Sequence, residues 1–320
     1  MGWNKVSRLL PGAMVAGLLA CAPVWSANNN TAVPGTINYV EGQVMLNGQA
    51  LNQRSVGYAE MNPGQVLDTQ RGKAEVLLTP GVFLRVGDNS EIRMVNPGLT
   101  NTSVDVTHGE ALLEVTMLMK ENHLQIADAG TQTTILKDGI YRFVAGNSPS
   151  VSVLNGEADV LKGDRNVKVG KDHQLLLAMV SDKTQKFDKA TEDDLYAWSK
   201  LRSEYTAQAN YAGVQMVAAG GYPWYGPGWY WSPFYDMYAF MPGYYGFMSP
   251  FGYPYLGVGY YGGYYGGGFY HGAVIGHRIA SAGFASGAHM AVASPAMGRM
   301  GGGMQSFHGG GGFSGGGGRR

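Results

Sequence analysis

The chain has 320 residues, 23 basic and 23 acidic side chains, and a formal net charge of zero. That balance excludes the broad basic field through which proteins hold nucleic acid, so no nucleic-acid partner is expected. A single cysteine, Cys21, excludes an intrachain disulfide.

The N-terminus reads as a targeting segment over residues 1–26. Lys5 and Arg8 form a short positive region, and residues 9–20 form an apolar stretch of signal-peptide length. It is shorter than the ~20 apolar residues of a membrane span. Two cleavage readings compete. Val24-Trp25-Ser26 places small or modest residues before a cut near Ala27. Leu18-Leu19-Ala20-Cys21 is instead similar to a bacterial lipobox, with Cys21 lipidated. A retained anchor is the third reading. Residues 27–35 form a polar linker.

From residue 36 to about 180, turn signals punctuate short apolar-alternating runs. They are Asn47-Gly48, Pro63-Gly64, Pro80-Gly81, Pro97-Gly98, His108-Gly109, Asp138-Gly139, Asn155-Gly156 and Gly163-Asp164. This rhythm predicts an all-β domain, a single antiparallel sandwich or a short β-helical stack. Residues 67–86 carry the clearest pattern. Ala74, Val76 and Leu78 alternate with Glu75, Leu77 and Thr79. After Pro80-Gly81, Val82, Leu84 and Val86 alternate with Phe83 and Arg85. Side chains of a strand alternate faces, so this predicts a hairpin with one buried face.

A helix is predicted next, over residues 190–211. Thr191 can cap it, with Asp194 as capping-box partner. Leu195, Trp198, Leu201 and Tyr205 form a loose apolar stripe, read as a lid closing on the β domain, with a stalk leading out of it as the other reading.

Residues 212–320 read as a low-complexity tail. Residues 206–320 hold 31 of the 50 Gly and 15 of the 20 Tyr, but only five charges: Asp236, Arg278, Arg299, Arg319 and Arg320. No helical or strand period survives the Gly and Pro spacing of residues 222–270. Residues 301–320 are expected to be disordered. Trp224, Trp229 and Trp231 are candidate contact residues, because Trp offers a large apolar face with a polar tip.

No catalytic constellation is readable. His108, His123, His173, His271, His277, His289 and His308 show no metal-ligand spacing. Gly-x-Ser-x-Gly is absent, and the Gly-rich runs lack the Lys-Ser or Lys-Thr of a phosphate loop. No enzyme activity, cofactor or metal is expected.

The order of the strand phrases resembles the FecR domain, a β-rich module found outside the bacterial cytoplasmic membrane. The matching phrases are Gly42-Gln43-Val44, then Gly72-Lys73-Ala74-Glu75-Val76, Pro80-Gly81 and Leu84-Arg85-Val86. Gly109-Glu110-Ala111, Gly139-Ile140-Tyr141 and Asn155-Gly156-Glu157-Ala158 continue the series. The likeness runs over residues 36–180 and implies an extracytoplasmic β scaffold acting through protein contact. FecR proteins also carry a sigma-binding segment before a membrane span. Only eight residues precede the apolar stretch here, so that signalling role is not expected. The expected partner is an envelope protein or cell-surface component, with membrane contact only through the signal segment or lipid. A structural or adhesive protein that self-associates through its Tyr/Gly-rich tail is the alternative.

Overall fold

A computed structural model describes Met1 and residues 32–179, 181–187, 193–221 and 226–262. The targeting segment with Cys21, the capping Thr191, Trp224 and residues 301–320 lie outside the described residues. All described residues belong to one compact unit, Met1–Gly268.

The chain opens with β1 (Ile37–Leu46) and β2 (Gln49–Ala50), joined at Asn47-Gly48. Both turn residues have positive φ, 48° and 78°, as a type I′ turn demands. Then come β3 (Val66–Leu77), β4 (Val82–Val86), β5 (Ser90–Pro97) and the long β6 (Asn101–Val115). β7 (His123–Asp128), β8 (Thr131–Ile135), β9 (Gly139–Ala145) and β10 (Ser150–Asn155) follow. The series closes with β11 (Glu157–Lys162), β12 (Arg165–Gly170), β13 (His173–Leu176) and β14 (Gln185–Lys186).

These strands form one 14-stranded sheet whose main path runs β12-β11-β8-β7-β6-β4-β3-β1-β2. The predicted all-β class holds. Two details depart from the sequence reading. β6 and β7 pair in parallel, whereas every other pairing in the sheet is antiparallel. His108-Gly109 is also no chain reversal: β6 runs straight through it and exchanges partners there. Its first half pairs β5 and β7, and its second half pairs β4 and β9. Gly109, at φ 73°, leaves no room for a side chain against Asn89 and Ser90.

One face of the sheet encloses the main core. Val76, Val82, Leu84, Val86, Leu113, Val115, Tyr141, Phe143, Val151 and Val160 meet there, all fully buried. The hairpin of residues 67–86 forms as predicted, but both its faces are buried. Glu75, Leu77, Phe83 and Arg85 have no exposed surface either.

What covers the second face is α1 (Asp194–Ala218) with the aromatic segment after it. That segment forms β15 (Gly228–Ser232) paired with β16 (Met237–Met241), and β17 (Phe247–Met248) paired with β18 (Pro254–Tyr255). A short α2 (Gly259–Gly262) ends the described chain. The reading of residues 212–320 as a tail without strand period therefore needs correction over residues 226–262. Burying a large apolar side chain contributes ~1.5–3 kcal/mol, and each Gly costs ~0.5–1 kcal/mol relative to Ala. Met237, Tyr238, Phe240, Met241, Tyr255 and Leu256 are all buried, so ring burial outweighs the glycine entropy.

The helix runs beyond its predicted end, and Asp193 rather than Thr191 caps it, accepting from the Tyr196 amide. The apolar stripe is half right. Leu195 and Trp198 face inward, while Leu201 and Tyr205 are exposed. Apart from Val214, the rest of the buried face is small or polar: Ser199, Arg202, Ser203, Thr206, Ala207, Ala209, Asn210 and Gly213. The lid reading agrees with this placement.

Gly72 stands opposite Gly42, beside a register shift between β1 and β3. A Cβ on Gly72 would lie 2.3 Å from the Glu41 carbonyl oxygen and 2.6 Å from the Gln43 nitrogen. Gly72→Val should therefore destabilise by more than the ~1 kcal/mol typical of a substitution. A lowered urea midpoint at unchanged slope reads this loss; an unchanged midpoint contradicts the close crossing.

Candidate functional site

The site lies between the second face of the sheet and its cover. Strand alternation places Glu75 of β3, Arg85 of β4 and Glu114 of β6 on this face, opposite the main core. Glu75 and Arg85 are direct cross-strand neighbours. Arg85 donates from Nε to Glu75 Oε2 at 2.9 Å and from Nη1 to Glu114 Oε2 at 2.6 Å. All three side chains are fully buried.

α1 supplies the fourth charge. Arg202 donates from Nη2 to Glu75 Oε1 at 2.9 Å, and its guanidinium lies 4.0 Å from the centre of the Tyr39 ring. Glu75 Oε1 also accepts from Asn38 Nδ2 at 2.8 Å. Glu114 Oε1 accepts from Ser203 Oγ at 2.9 Å and from the hydroxyl of Ser249. Ser203 Oγ sits 2.8 Å from Ser249 Oγ and 3.1 Å from Tyr255 Oη. Two carboxylates thus meet two guanidiniums, and the hydroxyls fill remaining acceptor sites. Arg85 Nη2 and Arg202 Nε have no hydrogen-bond partner among the described residues. Rings take that role in part, since Arg85 lies 5.3 Å from the Phe83 ring centre and 5.9 Å from that of Phe251.

The charges are fixed. Burial alone would raise the Glu75 carboxyl, but Arg202 and Arg85 outweigh it and hold it at about 2. Burial would lower Arg85, yet Glu114 and Glu75 raise it. Burial, then the Glu114 charge, pushes the Tyr255 hydroxyl well above its ordinary value. Glu75, Arg85 and Tyr255 therefore keep one protonation state across the neutral range. Such a set suits recognition and positioning, where constant charge and geometry matter, rather than proton transfer.

Two asparagines fix the aromatic hairpins beside the cluster. Asn38 donates to the Tyr238 carbonyl at 3.0 Å and accepts from the Tyr238 amide at 2.7 Å. Asn210 donates to the carbonyls of Phe240 and Leu256 and accepts from the Leu256 amide at 2.6 Å. Each side-chain amide does the work of a neighbouring strand, satisfying backbone groups that burial would otherwise strand. Ion pairs between Lys73 and Asp194, and between Arg142 and Asp193, tie down the start of α1. Trp198 Nε1 donates to Glu41 at 2.9 Å.

The glycines singled out in the sequence serve the frame around this site. Gly42 and Gly72 face each other on β1 and β3, and Gly139 starts β9. Gly156 separates β10 from β11, with its Cα side filled by the Tyr141 hydroxyl. Pro80 and Gly81 form the turn between β3 and β4. Gly81, at φ 85°, lies against Phe240 of the cover. Trp229 and Trp231 turn toward the protein itself. Trp229 meets Phe83 edge-on at 5.2 Å between ring centres, and Trp231 meets Tyr238 at 5.1 Å.

Sequence reasoning passed over Glu75, Arg85, Glu114 and Arg202. A usable signal existed: the supposed solvent face also carries Leu77, Phe83 and Leu112, too apolar for a wetted surface. Among the described residues no group of three or more His, Cys, Asp or Glu is placed to hold a metal. No helix among them is long and apolar enough to cross a membrane. A shallow open cleft at the β1–β2 end, lined by Asn47, Gln49, Tyr58, Glu60 and Gln65, shares no residue with the charge cluster.

No family model and no curated protein matches the chain. Two crystal structures of a protein described as a putative anti-sigma factor from Parabacteroides distasonis are similar to part of it. Their identities are 15% and 14%, with TM-scores of 0.33 and 0.34. Each covers 42% of this chain, and the likeness spans 61% and 63% of the two chains compared.

Acid stability should report the buried charges. Glu75 at about 2, against an ordinary 4.5, adds stability above 4.5 that is lost as pH falls toward 2. Asp128 goes the other way. Burial, then the charge of Asp105, pushes its carboxyl from 3.8 to about 7. Its contribution is present below 3.8 and lost as pH rises through 7. Glu110 and Asp138, also raised by burial, add to that upper limb. Urea midpoints should thus rise from neutral pH to a maximum between the two limbs, then fall on further acidification. Asp128→Asn should shrink the upper limb alone. A wild-type curve without the acid limb contradicts the state assigned to Glu75.

Proposed function

We propose that the chain is a non-enzymatic, extracytoplasmic scaffold of the bacterial envelope, with a FecR-like β domain that works through protein contact. The observation that carries this reading is the covered second face of the sheet. Strands β3, β4 and β6 present paired charges and rings there that bind a helix and two aromatic hairpins within one chain. The ordered phrases from Gly42-Gln43-Val44 to Gly156-Glu157-Ala158 support the FecR likeness, and the signal-like N-terminus supports export. The same N-terminus leaves three forms open: a soluble periplasmic protein, a lipoprotein modified at Cys21 and a retained anchor. Mass measurement of the mature chain separates them.

A second reading has its own observation. The docked hairpins present apolar side chains outward: Phe234 is 74% exposed, Tyr245 is 77% exposed, and Met248 is 59% exposed. Exposed aromatic and Met side chains suit an adhesive or self-associating surface.

Capture from envelope fractions distinguishes the two. The full chain should retain a partner above background, and a chain ending at Gly262 should retain it equally. Loss of the partner on Phe234→Ser with Tyr245→Ser moves the contact to the aromatic surface, and loss on the truncation moves it to residues 263–320. Recovery of no partner contradicts the scaffold reading.

A further inference from the structure

We propose that the second face of β3, β4 and β6 is a docking surface for a partner helix bearing one arginine, and that α1 is its resident occupant. The inference deepens the protein-contact reading and rests on it.

Three observations meet here. The first is charge. Without the cover, the face holds Glu75, Arg85 and Glu114, one negative charge in excess, and Arg202 neutralises it. The sheet thus carries an unfilled seat for a single cation, flanked by the apolar side chains of Leu77, Phe83 and Leu112. A guanidinium fits better than an ammonium, because it donates to Glu75 Oε1 while its plane lies against the flat Tyr39 ring.

The second is that the three sheet residues remain paired with each other when the cover is gone. Arg85 bridges both carboxylates within the sheet, so departure of α1 strands no charge. The apolar neighbours Leu77, Phe83 and Leu112 still need a cover, so one helix is exchanged for another on this face.

The third is the character of α1. Its buried face is Ser199, Arg202, Ser203, Thr206 and Asn210 with the small Ala207, Ala209 and Gly213, and only Leu195, Trp198 and Val214 are large and apolar. A surface helix held by apolar burial presents a wide apolar stripe to the core. One held chiefly by oriented polar contacts gives up those contacts to water, or to a competitor of the same chemistry. The partner is therefore a helix with arginine between small residues, so that its backbone can approach the sheet as α1 does.

The test uses the full chain and a fluorescent synthetic peptide of residues 193–218. Saturable binding is expected by anisotropy, at least tenfold weaker for the peptide carrying Arg202→Met. Binding to an Arg202→Met chain should be at least tenfold tighter than to wild type, since its own α1 competes less. Arg202→Lys, which keeps the charge and loses the flat fork, replaces it if the Met variant fails to fold. Hydrogen exchange should show α1 and β15 to β18 losing protection on peptide binding, with β3, β4 and β6 kept. Equal binding of both peptides, no saturable binding, or binding without loss of α1 protection overturns the proposal. Helix exchange between two copies, seen as a dimer by sedimentation, overturns the choice of partner. A captured envelope protein that the peptide does not displace defeats this inference while the scaffold reading stands.

Discussion

The arrangement depends on one constraint: charges placed between two layers must all be paired. Glu75, Arg85, Glu114 and Arg202 lie where water is excluded, and an unpaired ion there is costly by several kcal/mol. Each is therefore met by an opposite charge, a hydroxyl or a ring. This requirement fixes where α1 crosses the sheet, because only one placement brings Arg202 to Glu75 and Ser203 to Glu114 together. Such clusters are weak sources of net stability but strong specifiers of arrangement. Burial of Phe83, Tyr238, Phe240 and Tyr255 supplies the favourable free energy around them, and the ions decide the register.

The aromatic segment follows from the same constraint. A sheet face with charges at its centre and rings at its sides cannot be closed by an ordinary apolar helix alone. The hairpins bring Tyr and Trp residues whose bodies fill the apolar flanks, and the Tyr253 and Tyr255 hydroxyls reach Glu204 and Ser203. Tyr255 joins the Ser203 hydroxyl inside the cluster, while Phe240 and Trp229 close over Phe83. Asn38 and Asn210 then make the side-chain contacts that hold hairpin backbones without extending the sheet. Composition that reads as low complexity is here a layer of rings spaced by turn residues.

Much of the frame was legible in the chain. Asn47-Gly48, Pro80-Gly81 and Asn155-Gly156 stand where the turns are, because positive φ and fixed φ are local demands met by few residues. The β class followed from period-two alternation in the strands between. The candidate site was not legible for a physical reason. Alternation tells which side chains share a face, but not whether a later segment covers that face. Glu75 and Arg85 read as wetted until Arg202 and residues 226–255, more than a hundred positions on, are known to fold over them. The His108-Gly109 pair misled in the opposite sense, since a glycine that permits partner exchange along a strand is spelled like one that reverses the chain. Likewise, Thr191 and Asp193 are both sound capping residues, and the ion pair of Asp193 with Arg142 of β9 is a tertiary fact.

The central claim, that Arg202 and Glu75 tie the helical layer to the sheet, is tested most directly by a double-mutant cycle in urea. Glu75→Gln and Arg202→Met are measured singly and together in the full chain. The two residues touch inside one network, so a coupling of ~1 kcal/mol or more is predicted. Losses that add to within ~0.3–0.5 kcal/mol, as for distant independent sites, would contradict it.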